Sequence, residues 1–145
     1  MKWFDPFGFV FVIILLVPNV AFAVTHKDGF ENKYKNKAIE SLEQIGRFGS
    51  FAAMFITVPH LNFGFWLENG RVLYITLGGV LLFLYLLGWV LFKNESSVRK
   101  SLWLSIVPSL LFAESAVLSL NIPLLIFALI FAPCHILISY KNAVL

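Results

Sequence analysis

Residues 72–92 read VLYITLGGVLLFLYLLGWVLF, with Leu81-Leu82-Phe83-Leu84-Tyr85-Leu86-Leu87 at the centre and no charged side chain anywhere in the stretch. About 20 predominantly apolar residues suffice for a helix to cross the hydrocarbon of a bilayer, where every backbone N–H and C=O must be paired inside the segment. The stretch therefore predicts a transmembrane helix. Four further apolar stretches flank it, at 3–24, 45–66, 101–120 and 122–140. The whole chain has 145 residues, of which 59% are hydrophobic and only 13% charged, with a mean hydropathy of +0.85. A soluble domain needs about a quarter of its residues charged, and a disordered one lacks this much apolar surface, so both classes are excluded. The predicted fold is an all-α integral membrane bundle of five transmembrane helices, one domain over 1–145, with a charged loop at 25–44.

The second stretch is the least regular, because Pro59-His60-Leu61-Asn62 follows its uninterrupted run. A proline there predicts a kink or a break. Leu120-Asn121-Ile122-Pro123 predicts a tight helical hairpin between the fourth and fifth stretches. Ala21-Phe22-Ala23 also fits a signal-peptide cleavage site. Charge distribution opposes that reading. With five crossings, Lys27, Lys33, Lys35, Lys37, Arg47, Lys93, Arg99, Lys100 and Lys141 share one side, leaving only Lys2 and Arg71 on the other. Nine against two predicts an outside N-terminus and a cytoplasmic C-terminus in a plasma membrane. Trp3, Trp66, Trp89, Trp103 and Tyr140 all fall near predicted span ends, as interfacial aromatics do. The loop lysines alternate with acids and suit contact with lipid headgroups; nucleic acid is not an expected partner.

Ionisable groups within a span cost about 2.5–3.5 kcal/mol on insertion scales and are candidate sites. Glu114 lies 13 residues past Ser101, and His60 lies 13 residues past Arg47, each ~20 Å deep at about 1.5 Å per residue. A Glu114–His60 pair, with Asn62 and Ser115 beside it, would relay a proton or bind a cation. The competing reading lets Glu114 reach the outer headgroups. Glu43 and Arg47 are i and i+4, the favourable order for an ion pair on a helix that starts near Lys37. They form either an interfacial salt bridge or one wall of an inner polar pocket with Asn19, His135 and Tyr140, where arginine holds a phosphate or carboxylate. Gly46, Gly49, Ser50 and Ala53 form a small-residue stripe that predicts a helix-packing seam.

Cys134 and His135 are adjacent, so on a helix they point about 100° apart and make a poor nucleophile–base pair. No phosphate loop, catalytic triad or metal-ligand spacing occurs, and His60 and His135 are placed at different depths, unsuited to one haem. No cofactor or metal is expected, and an enzyme acting on lipid is the third expectation, behind two non-enzymatic functions. Glu43-Gln44-Ile45-Gly46-Arg47-Phe48-Gly49, Ala132-Pro133-Cys134-His135-Ile136-Leu137-Ile138-Ser139-Tyr140-Lys141-Asn142 and Val17-Pro18-Asn19 resemble a set of small, uncharacterised bacterial multi-pass membrane proteins. That resemblance implies a bacterial membrane location and carries no activity. The leading expectation is a non-enzymatic component that binds or transports a solute, a proton or a lipid headgroup. Its alternative is a structural or regulatory subunit docking a larger partner, or a second copy, through the small-residue stripe.

Overall fold

A computed structural model of the protein describes residues 3–25, 36–58, 60–92 and 97–144. Lys2, Pro59, Lys93 and the 26–35 stretch with Lys27, Lys33 and Lys35 lie outside the described residues, and with them much of the expected charged loop. Five α-helices follow one another: α1 Pro6–Thr25, α2 Lys37–Phe55, α3 Gly70–Leu91, α4 Val98–Ser119 and α5 Ile122–Val144. Three of them, α3, α4 and α5, are long and apolar enough to cross a membrane. Helix α1 is uncharged and apolar over Pro6–Phe22. Helix α2 carries Lys37, Glu40, Glu43 and Arg47, so its N-terminal half is not a hydrocarbon-spanning surface.

Each boundary has a local cause. Asp5 precedes Pro6, and its carboxylate accepts from the backbone N–H groups of Phe7 (3.0 Å) and Gly8 (3.2 Å), satisfying donors that α1 leaves open. Asn36 caps α2 through Ile39 N–H, and Ser97 caps α4 through Lys100 N–H. Helix α4 ends at Leu120, a left-handed residue with φ 48°, and Asn121 then accepts from Leu124 N–H to start α5. Pro123 sits in that first turn, where a missing N–H costs nothing.

The expected second span at 45–66 is not one helix. Helix α2 begins at Lys37 and stops at Phe55, and residues 60–69 run on without helix. The sequence places proline four residues past Phe55, and a proline clashes with the carbonyl four residues before it. The chain there pairs its backbone elsewhere. Ile56 bridges Phe4, Asn62 bridges Asn121, Phe63 N–H donates to Leu120 O (3.1 Å), and Ile122 N–H donates to Leu61 O (3.0 Å).

The helices pack as a ring in the order α1, α3, α4, α5, α2, with α2 touching α1 again. Helices consecutive in the chain run in opposite directions, so one end of the ring gathers Asp5, Tyr74 and Asn121, and the other gathers Arg47, Tyr85 and His135. Large apolar side chains cover the outside: Phe83 is 65% exposed, Val90 67% and Leu129 66%. The fully buried positions include Ser50, Ser105 and Ser115 beside Phe112, Leu111 and Leu124. Apolar groups outside and hydroxyls inside is the arrangement hydrocarbon solvent favours. Ser105, Ser109 and Ser119 donate to carbonyls one turn back in α4, so their hydroxyls are satisfied without a partner helix.

Candidate functional site

Two cavities lie along the ring, each lined by residues of all five helices. The cavity at the Asn121 end measures about 560 Å³ and is bordered by Asp5, Arg71, Tyr74, Ser115, Ser119 and Asn121. The Tyr74 hydroxyl donates to Asp5 Oδ2 at 3.2 Å, so one carboxylate both caps α1 and ties it to α3. Arg71 lies over the Phe7 ring, 5.2 Å from its centroid. Asn121 donates to Ala53 O at 2.9 Å, which joins the α4–α5 turn to the end of α2.

Glu114 is half-buried beside this cavity, not in its wall. Ser115 Oγ donates to Glu114 Oε1 at 3.0 Å, while the buried Oε2 has no hydrogen-bond partner among the described residues. The expected Glu114–His60 pair does not form. His60 is an exposed turn residue at φ 70°, and among the described residues no hydrogen bond or ion pair joins the two. Counting residues along a helix gave His60 a depth that holds only if the helix continues past Phe55. Asn62 pairs with Asn121, not with Glu114.

The cavity at the Arg47 end measures about 210 Å³ and is bordered by Asn19, Arg47, Tyr85, His135, Phe112 and Phe131, among others. Glu43 is buried, only 3% exposed, and its Oε1 accepts from Arg47 Nη2 and faces His135 Nδ1 at 3.2 Å. A carboxylate sealed away from solvent needs such donors, because an unpaired buried charge costs several kcal/mol, on the order of 3–5 when a partner is removed. His135 is further fixed by stacking on Phe131, with centroids 4.6 Å apart. Asn19 donates to Leu15 O (2.8 Å) and to the Tyr85 hydroxyl (2.6 Å). Asn19, Arg47 and His135, expected at one depth, thus meet at one cavity. Tyr140 is 41% exposed and does not border it. Cys134 is partly buried, and among the described residues no group of three His, Cys, Asp or Glu converges as a metal site would require.

The small-residue stripe is occupied within the chain. A Cβ at Gly46 would lie 2.6 Å from Phe131 N, and one at Gly49 would enter the Phe127 ring. Ser50 and Ala53 are buried on the same face. This seam joins α2 to α5 and is not a free surface for a larger partner. Gly8 is a comparable close approach between α1 and α2, where a Cβ would overlap Met54 O.

Tyr74, Tyr85, Asp5 and Arg71 were not singled out in the sequence. Asp5 had a readable signal, since Asp-Pro at the head of an apolar run is a helix start. The tyrosines had none, because position along α3 does not disclose which side faces a cavity. Neither a family model, a curated protein nor a solved structure matches the chain.

Proposed function

We propose that this is a bacterial plasma-membrane protein with five crossings, its N-terminus outside and its C-terminus cytoplasmic, which binds and passes a small solute, proton or lipid headgroup without transforming it. The pair of cavities carries this reading. All five helices contribute to each, polar side chains line both, and the buried apolar residues Phe11, Ala53 and Ala128 lie between their lining residues on α1, α2 and α5. Tyr74 and Tyr85, one on each cavity, are 11 residues apart on α3, ~16 Å at about 1.5 Å per residue. Two vestibules with buried apolar side chains between them on three helices, and Glu114 between them on α4, suit stepwise passage better than a single closed pocket.

In this topology α2 and the irregular segment after it complete the second crossing together. Non-helical backbone at membrane depth is tolerated where it is buried in protein or lines a cavity, and Thr57, Asn62, Gly64 and Phe65 border the larger one. The end carrying Lys37, Arg47, Arg99, Lys100 and Lys141 then faces the cytoplasm. Glu114 with Ser115 and Tyr74 serves the outer vestibule, and Arg47 with Glu43, His135 and Asn19 serves the inner one. The resemblance to uncharacterised bacterial multi-pass proteins agrees with the location and leaves the solute open.

Purified protein in liposomes, with a pH dye trapped inside, tests the reading. After an acid pulse or addition of benzoate, protein-containing vesicles are expected to acidify faster than empty ones. Phe11→Ala, which thins the barrier, should raise the rate further. Rates equal to those of protein-free vesicles for both proteins overturn the proposal. Reporter fusions after Glu68 (outside) and Asn94 (cytoplasmic) test the topology.

A further inference from the structure

The inner cavity has an unusual donor inventory. Arginine offers five N–H donors, and only Arg47 Nη2 is engaged, on Glu43. Its remaining donors have no hydrogen-bond partner among the described residues. Tyr85 is 3% exposed, its oxygen accepts from Asn19, and no group among the described residues accepts its own hydrogen. Two side chains, one buried and one half-buried, therefore border one cavity with donors that no acceptor among the described residues engages. Apart from Asn19 and His135, the rest of the wall is apolar, with Leu15, Leu16, Phe48, Phe51, Phe112 and Phe131 among its residues. A ligand that satisfies both halves has an oxyanion at one end and hydrocarbon at the other.

The route in is also legible. Helix α1 meets α2 closely at Gly8 and Met54, but its later contacts run to α3: Phe11 with Tyr74, Asn19 with Tyr85, Phe22 with Trp89. Helix α2 turns toward α5, through Glu43 with His135, Gly46 with Phe131 and Gly49 with Phe127. The two helices thus diverge toward the Arg47 end. Phe48, 63% exposed, and Asn19, also exposed, stand at the two edges of the gap while lining the same cavity.

We infer that the gap between α1 and α2 is a lateral entrance from the bilayer, through which the inner cavity takes an amphiphile whose carboxylate or phosphate is held by Arg47 and Tyr85 and whose chain lies along Leu15, Leu16 and Phe51. This rests on the inner cavity being a binding site, as proposed above, and names its ligand class. Guanidinium forks pair with planar oxyanions in two parallel bonds, and the low-dielectric wall strengthens them.

Equilibrium binding to the full-length protein in a non-ionic detergent tests it, using radiolabelled oleate and dioleoyl phosphatidic acid, with oleyl alcohol and inorganic phosphate as competitors. Oleate or phosphatidic acid is expected to bind saturably, and whichever binds identifies a free fatty acid or a phospholipid as the source. Oleyl alcohol and inorganic phosphate should compete at least about tenfold less well, one lacking the anion and the other the chain. Tyr85→Phe should weaken binding about three- to tenfold, and Glu43→Gln/Arg47→Met, which removes both members of the buried pair, about tenfold or more. Leu16→Trp, which fills the apolar wall, should abolish it, so the test survives if the double variant does not fold. Equal competition by oleyl alcohol or by inorganic phosphate, or wild-type affinity in Tyr85→Phe and Leu16→Trp, overturns the inference. Binding with these dependences in a protein that passes neither protons nor benzoate would leave this inference standing and remove the transport reading alone.

Discussion

The two ends of the ring are held by different kinds of bond. At the Asn121 end the connections are mostly main-chain: Asp5 N–H to Phe55 O (2.8 Å), Thr57 N–H to Trp3 O (2.7 Å), Phe63 N–H to Leu120 O and Ile122 N–H to Leu61 O. Irregular segments meet there and satisfy one another's backbone. At the Arg47 end, regular helices satisfy their own backbones, and the cross-links are side chains: Glu43 with Arg47 and His135, Asn19 with Tyr85, and Trp103 Nε1 with Leu84 O at 2.8 Å. Backbone bonding survives most substitutions, whereas side-chain bonding depends on the identity of each residue. The Arg47 end should therefore be the more mutable in function and the Asn121 end the more robust, except where one side chain joins several segments.

The largest expected effect is Gly46→Leu. Phe131 backbone stands where the new side chain must go, so α2 and α5 would separate, at a cost above about 3 kcal/mol. A monodisperse peak in size-exclusion chromatography should be lost. Asn121→Ala comes next, at about 2–3 kcal/mol, because it removes both the bond to Ala53 O and the cap on Leu124 N–H. It is the exception to the robustness of its end, and a clear drop in thermal midpoint in detergent should show it. Glu43→Gln should cost less, about 1–2 kcal/mol, since Arg47 is a third exposed and can turn its freed charge toward water or headgroups. Combined with Asn121→Ala its effect should add, because the two sites share no partner. A strongly non-additive midpoint would mean that the ends are coupled. Trp66→Phe should be the mildest, below about 1 kcal/mol, as its indole bond to Val117 O is exposed.

Helical character and lipid-facing surface were legible along the chain. The Asn121–Pro123 turn and a start of α2 near Lys37 were read from the sequence, whereas the Ser97 cap that starts α4 ahead of Ser101 was not, and the Glu43–Arg47 spacing predicts the pair that forms. Depth along a helix could be counted, which is why Asn19, Arg47 and His135 arrive at one level. Azimuth could not. Helix α3 is apolar on every side, so no stripe distinguishes Tyr74 and Tyr85, which face cavities, from Phe83, which faces outward. His60 failed for a related reason: its depth presumes a helical path that the proline after Phe55 interrupts.

Composition and charge placement alone made this an all-α chain with hydrocarbon-facing helices, because apolar surface on this scale cannot be hidden inside 145 residues. Neighbour order around the ring, the burial of the glycine stripe against α5 and the meeting of Asp5 with Tyr74 across 69 positions came only with the assembled bundle. Lipid tails are as apolar as leucine, so hydrophobicity sends every such helix into the membrane without choosing its neighbours. Close fit and a handful of polar contacts make that choice, and both depend on side-chain direction in three dimensions.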